Sequence, residues 1–420
     1  MPDRGGAVTV GPRLSPRAWL AIIGVSLAFR LLSFVLLDGR APDGDTPHYL
    51  AIARNILDGR GIVIDDPSNI AGMRAAYPPL YPLLLAALGL VLPLGMASVA
   101  ALNTALDLLC AWLMAKLGRD LGQAGAGTLA AALYLVWPTH VGMAPLARKE
   151  GLIAVLVVAL LLLLWRLARQ PAPRPALAFG LVAGLLALAQ PGLATLPALF
   201  ALAAIPFFPD GRRWARSMVV AAVAATAVLL PWWIRNALLF GRFVPLTTVT
   251  GYSLWIGATP LGDGTWLQPP ARFRQGDELA MSAAMAKEAR AIIAANPLDY
   301  LGHCLAKVWR AFTSEHRGVG QIHWAEPRAY LRVAQVWIAI AGAVHIAALI
   351  AAVARAATRR GEFLHRMLFA GFAQIVLFGM WFEFDQRHRY FLTPIVLMVA
   401  SQAVLAALDR RRPAALAHAD

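Results

Sequence analysis

Asp43 and Asp45 stand in the stretch Pro-Asp-Gly-Asp-Thr-Pro-His-Tyr, directly after a long apolar run. A carboxylate held there is able to take a proton from an attacking hydroxyl. A local duty competes with this one. Asp45 or Thr46 would cap a helix over Tyr49–Leu57 by accepting from its free N–H groups. The two duties are compatible. Glu150, in Ala-Arg-Lys-Glu-Gly, opens another apolar run. An acid in a first helical turn is favoured by the helix dipole, and an ionisable residue at the edge of a membrane span is also a functional candidate. Both readings stay open for Glu150.

The elements that must position these acids are membrane helices. The chain is 59% hydrophobic and 15% charged, with mean hydropathy +0.61, against about 25% charged residues in soluble domains. Leu152–Leu164 and Val219–Leu230 contain no charge at all. The expected architecture is one all-α integral membrane domain over residues 1–420, with about ten spans. They lie near 18–37, 95–115, 122–138, 150–165, 176–191, 193–208, 217–234, 332–354, 364–382 and 391–408. Ala18–Leu37 is too long for a cleaved leader and lacks a small-residue cleavage site, so it is expected to be the first span. Tyr77–Leu94 opens with Tyr-Pro-Pro-Leu-Tyr-Pro and is expected to be a re-entrant or half-deep helix.

Every second loop is basic, with Lys116 and Arg119, Arg166 and Arg169, Arg212 and Arg213, and Arg359 and Arg360 as examples. The positive-inside rule then puts both termini in the cytoplasm. Two large loops face outward, from Asp38 to about Tyr77 and from Phe240 to about Tyr330. Two surface amphipathic helices are expected in them, over Tyr49–Leu57 and Glu278–Ala295. Spans are nearly free of charge, and the main exception, Arg30, is expected to snorkel outward.

The net charge of +15 would suggest nucleic acid in a soluble protein, but membrane topology accounts for most of it, and no nucleic-acid partner is expected. The outward loops nevertheless carry Arg74, Arg148, Lys149, Arg235, Arg387 and Arg389. Long loops translocate regardless of charge. That leaves Arg235, Arg387 and Arg389 unexplained, because they abut spans, and an anionic lipid or phosphate is the expected partner, with protein carboxylates such as Glu383 and Asp385, close in sequence to Arg387, as the alternative. Glu315, His316, His323 and Glu326 have no metal-ligand spacing and are expected to be solvated loop residues. No cofactor and no metal-ligand set are therefore expected, and dependence on a metal stays open. The two cysteines, Cys110 and Cys304, do not suggest a disulfide. No P-loop, dinucleotide fingerprint or Ser/His/Asp signature is present.

Asp45-Thr46-Pro47-His48-Tyr49 resembles the motif that opens the first outer loop of GT-C membrane glycosyltransferases, an acid four positions before an aromatic. The branch it looks like includes the protein O-mannosyltransferases and the aminoarabinose transferases. Ala51–Gly61 with Tyr77–Pro82, Pro231–Asn236 with Gly241–Pro245, and Arg387–Tyr390 continue the resemblance from Ala18 to Ala407. It implies transfer of a sugar from a polyprenyl-phosphate donor to an acceptor hydroxyl of a protein, lipid or glycan, on the outer face of the cell membrane. By this resemblance Asp45 is the base and Glu150 the second acid. Arg235, Arg387, Arg389, Arg74 and Lys149 become candidates for the donor phosphate. Asp43, His48, Tyr49 and Tyr81 become supports for the acceptor or the loop. The mannosyltransferases place Glu directly after the first acid, and Thr46 stands here, so a protein-mannosylating role is less secure. Two rivals remain. A lipid flippase or transporter would usually carry midplane charges or repeats. A polysaccharide polymerase or ligase would use a diphosphate-linked donor.

Overall fold

The computed structural model describes residues 14–37, 44–64, 72–274, 276–316 and 328–416. Among them there are helices and no strands. In chain order the α-helices are α1 (Pro16–Leu36), α2 (Asp45–Leu57), α3 (Leu80–Gly89), α4 (Met96–Asp120), α5 (Ala124–Leu135) and α6 (Pro138–Met143). They continue with α7 (Glu150–Arg169), α8 (Pro173–Ala189), α9 (Leu196–Ala203), α10 (Gly211–Phe240), α11 (Thr250–Ala258) and α12 (Glu278–Ala295). The last are α13 (Pro297–Thr313), α14 (Arg328–Thr358), α15 (Phe363–Gln374) and α16 (Thr393–Leu416).

Every expected span falls on a helix. Among the described residues, six helical segments are long and apolar enough to cross a membrane: Pro16–Leu36, Met96–Asp120, Glu150–Arg169, Gly211–Phe240, Arg332–Thr358 and Gln386–Arg410. The expected spans at 122–138, 176–191, 193–208 and 364–382 fall instead on the shorter apolar helices Ala124–Leu135, Pro173–Ala189, Pro191–Ala203 and Phe363–Gly379. None of these four reaches the roughly 20 residues of a full crossing. The half-deep segment is a helix of 10 residues, α3, which at 1.5 Å per residue reaches about half of a hydrocarbon core.

Burial follows sequence. The charge-free stretch Leu152–Leu164 of α7 sits at the centre, with Val157, Leu160, Leu161 and Leu164 fully buried. A helix apolar all round has no face to offer water, so it becomes core. By contrast α1 and α10 are buried over only 22% of their apolar windows. Their outer faces are apolar and exposed, as at Leu20, Leu31, Val219 and Val223. α8 and α10 cross in contact, and a Cβ on Gly180 would stand 2.1 Å from the Ala221 carbonyl. Small residues at the crossing are what permit that approach.

Two expectations change here. Arg30 does not snorkel: it is 5% exposed and pairs with Asp107 of α4 at 2.8 Å. Burying a lone guanidinium costs far more than bringing a carboxylate to it. Nor do Tyr49–Leu57 and Glu278–Ala295 turn their apolar faces outward. Tyr49, Leu50, Ile52 and Ala53 are buried in the core, and Met281, Met285 and Ala289 are buried in a second cluster with Trp255 of α11.

Candidate active site

The chain enters α2 through Gly44, whose φ of 104° is open to glycine and strained for other residues. Gly44 is the N-cap, and no side chain caps the helix. Asp45 is thus released from the capping duty and lies in the first turn. Its Oδ1 accepts from the Tyr77 hydroxyl at 2.9 Å. Its Oδ2 faces two cations: Arg387 bonds it directly, and Arg148 stands 3.5 Å away. The Tyr77 oxygen also meets His48 Nδ1 at 2.8 Å. Burial acts to raise the Asp45 pKa, but Arg387, Arg148 and Lys149 outweigh it and hold the carboxyl well below the usual range. Burial and the nearby Asp45 charge push the Tyr77 hydroxyl well above an ordinary phenol. Tyr77 therefore keeps its proton and donates it.

Each partner is carried in by its own element. Tyr77 precedes α3 through Pro78-Pro79, which fix the entry to that helix. Tyr49 packs edge-on against both Tyr77 and Tyr81, with ring centroids 4.9 and 5.0 Å apart. Tyr81 donates to Asn103 of α4 at 3.3 Å, and Asn103 holds the carbonyls of Ala144 and Leu146 at 2.9 and 2.7 Å. That grip fixes the approach to α7, and with it Arg148, Lys149 and Glu150.

Arg387 lies in a 3-10 turn, Gln386–Leu392, that Asp385 starts by accepting from the Gln386 N–H at 2.7 Å. Glu383 holds the second nitrogen of Arg387 at 3.1 Å. One guanidinium is thus shared by two carboxylates. Burial pushes the Glu383 carboxyl up, and Arg387 opposes it. The loop is tied from behind by Lys307 of α13, which donates to the carbonyls of Gly257 and Phe382 at 3.0 and 2.8 Å.

The Lys149 ammonium makes no hydrogen bond or ion pair with any described residue, although Asp45, Glu150, Glu383 and Arg387 all act on it. Glu150 is the first residue of α7, as a first-turn acid would be, and is 7% exposed. Its Oε2 has no partner among the described residues, nor do the hydroxyls of Thr46 and Tyr49. Buried polar atoms left without partners are rare and need an explanation.

A second cluster of cations lies beside α10. A cavity of about 840 Å³ opens there, walled by Leu230, Ile234 and Leu238 and rimmed by Arg60, Arg74 and Arg235. Arg235 stacks on Trp232, 4.7 Å from its ring centroid, and bonds Asn236 at 2.8 Å and the Ile62 carbonyl at 3.3 Å. The Arg74 guanidinium has no partner among the described residues.

Of the expected site residues, Asp45, His48, Tyr49, Tyr81, Lys149, Glu150 and Arg387 come together, while Arg74 and Arg235 meet at the cavity beside α10. Asp43 lies outside the described residues, as do His323 and Glu326. Arg389 departs from its expected place. It is 2% exposed and bonds the carbonyls of Ala311 and Ser314 and the carboxylate of Glu315. Glu315 is therefore a buried ion-pair partner and not a solvated loop residue. Thr139 donates to it as well, at 2.7 Å. Sequence reasoning passed over Tyr77 as a site residue and offered Glu383 only as the alternative partner of Arg387, the place where the structure puts it. Tyr77 had a signal in its Tyr-Pro-Pro setting. Glu383 had one in its spacing of four from Arg387.

Lys149 gives the site a testable pH dependence. Burial lowers its pKa to about 8, with Glu150 and Asp45 pulling the other way. As pH rises through 8 the free side chain loses its charge, and an anion bound beside it loses a partner. If Lys149 contacts the substrate anion, its affinity should fall above pH 8 by up to about tenfold per unit. Lys149→Arg should flatten the curve, because arginine stays charged. Binding isotherms between pH 7 and 9.5 measure this. Equal slopes in the wild type and Lys149→Arg would remove Lys149 from the anion site.

No protein-family model matches this chain, and no curated protein sequence matches it. Among solved structures, the crystal structure of ArnT from Cupriavidus metallidurans bound to undecaprenyl phosphate is similar over 93% of this chain and 78% of that one. The TM-score is 0.47 and the sequence identity 13%.

Proposed function

We propose that this protein is an inverting glycosyltransferase that moves a sugar from a polyprenyl-phosphate donor to an acceptor hydroxyl on the outer face of the cell membrane. One observation carries the reading. An ionised Asp45, oriented by Tyr77, lies against cations from segments as far as 342 residues away in the chain. The motifs that resemble GT-C transferases supply these residues. The alternation of basic loops supports an outward-facing site and cytoplasmic termini.

The reaction is a single displacement at the anomeric carbon. The acceptor oxygen bonds to that carbon as the bond to the phosphate oxygen breaks, and the acceptor proton goes to Asp45. Glu150, with a free oxygen, orients the acceptor. A phosphate leaving group needs no general acid, so one base and several cations suffice. During the step Asp45 becomes neutral and the leaving phosphate gains a negative charge. Arg387 loses its hold on Asp45 as the new charge appears, while Glu383 keeps its other nitrogen in place. Arg387 is thereby free to follow the charge.

At rest the clamp makes Asp45 a weak base. An anionic donor that draws Lys149, Arg148 and Arg387 toward its phosphate weakens the clamp and raises the basicity of Asp45. The base is then active only with donor in place. The cavity beside α10, with its apolar walls, suits the prenyl units of the donor's lipid chain.

The test uses the purified protein in nanodiscs with synthetic polyprenyl-phosphate sugars. The expected product is free polyprenyl phosphate, released in the wild type and not in Asp45→Asn. Turnover of diphosphate-linked donors alone would favour a polymerase or ligase. Movement of the intact donor between leaflets without bond cleavage would favour a flippase.

A further inference from the structure

α13 treats its apolar side chains differently from α2 and α12. Tyr300, Cys304 and Ala311 are buried, yet Leu298, Leu301, Leu305 and Trp309 are exposed, at 80%, 38%, 57% and 71%. Their spacing of three, four and four puts them in one stripe along the helix. A contiguous apolar patch of that kind marks an interaction surface.

Beside the stripe runs a groove of about 690 Å³ between α13, α14 and α15. Val308, Trp309 and Phe312 wall it on one side, with Leu349 and Val353 of α14 on the other and Phe372 of α15 contributing. All of its lining residues are apolar, so it offers water no partners. The far wall belongs to α14, an apolar helix most of whose surface is exposed. The groove is therefore continuous with a membrane-facing surface. The position of α13 agrees. Its Tyr300 ring lies 6.0 Å from Trp381, and its Phe312 ring 5.8 Å from Phe372. α13 thus runs antiparallel to α15, alongside an apolar helix.

We propose that α13 is a lipid-facing helix and that its groove holds an acyl chain of a membrane lipid. The occupant is hydrocarbon because the walls carry no group to recognise anything else, and because the open side continues into the exposed apolar face of α14. The other face of α13 carries Lys307, which holds the loop of Glu383 and Arg387. The helix therefore stands between lipid and the candidate site. The inference does not depend on the proposed reaction.

The test uses the full chain in nanodiscs of phosphatidylcholine with plain or brominated acyl chains. Bromine quenches indole fluorescence on contact. Wild type minus Trp309→Phe gives the signal of the stripe, and Phe372→Trp in the Trp309→Phe background reports from the groove itself. Both signals should be lost in brominated lipid and kept in plain lipid. An unquenched Phe372→Trp signal would show that no chain enters the groove. A red-shifted one would mean water fills it. An unquenched Trp309 in a protein that sediments as an oligomer would mean that another protein covers the stripe. Any of these three results overturns the proposal.

Discussion

Asp45→Asn should lower turnover by about a hundredfold or more while leaving expression and melting temperature close to wild type. The amide oxygen can still accept from Tyr77. What is lost is the site that takes the proton, together with the anion that Arg387 and Arg148 face. Glu383 still holds one nitrogen of Arg387, and the repulsion that remains among these cations is relieved by substrate phosphate. Donor affinity should therefore hold or rise as turnover collapses, a split that a merely misfolded variant would not give. Tyr77→Phe, which removes the orienting donor and keeps the carboxylate, should cost less. The measurement is single-turnover release of polyprenyl phosphate beside a donor titration on the same preparation. Near-wild-type turnover in Asp45→Asn would remove Asp45 from the reaction and return it to the role of holding Arg387.

Much of the fold is legible because membrane helices are written as local composition. α7 announces itself as thirteen apolar residues, Leu152–Leu164, without a charge. Its place at the centre follows from the lack of a polar face. Helix length is less legible: α5 and α15 are apolar yet fall short of a full crossing, and composition alone does not fix where the last turn ends. Pairing between distant helices leaves the weakest trace. Arg30 looks solitary in its own span because its partner, Asp107, lies in another helix.

The site shows the same division. Asp45, Lys149 and Glu150 stand out by type and position. The meeting of Asp45 with Arg387 rests on chain topology across 342 residues, and only the order of motifs hinted at it. Arg387 and Arg389 look interchangeable in sequence. In a 3-10 turn of about three residues per revolution, positions two apart face different ways. Arg387 meets Asp45, and Arg389 turns inward to Glu315. The two expected surface helices failed for a related reason. An apolar stripe specifies that something must cover it, and for α2 and α12 the cover is protein.

The buried pair in the membrane bundle should be the most sensitive point for stability. Arg30 and Asp107 are each 5% exposed at the side chain. The Tyr134 hydroxyl donates to Asp107 at 3.0 Å, and Arg30 Nε bonds Ser26 at 3.2 Å. Ser26 in turn donates to the Leu135 carbonyl at 2.6 Å. The network ties α1 to α4 and to the end of α5. Asp107→Leu strands the guanidinium among apolar helices and should cost about 3–5 kcal/mol. Arg30→Met strands the carboxylate, and should cost less because Tyr134 still donates to it. Replacing both, as Arg30→Met with Asp107→Leu, removes the charges together and should recover most of the loss. Denaturant unfolding in one detergent, followed for wild type, both single variants and the double, measures the coupling between the two sites. Wild-type stability in Asp107→Leu would mean that water or lipid phosphate reaches Arg30. A double variant no more stable than Asp107→Leu would place the loss in packing around residue 107 and not in an uncompensated charge.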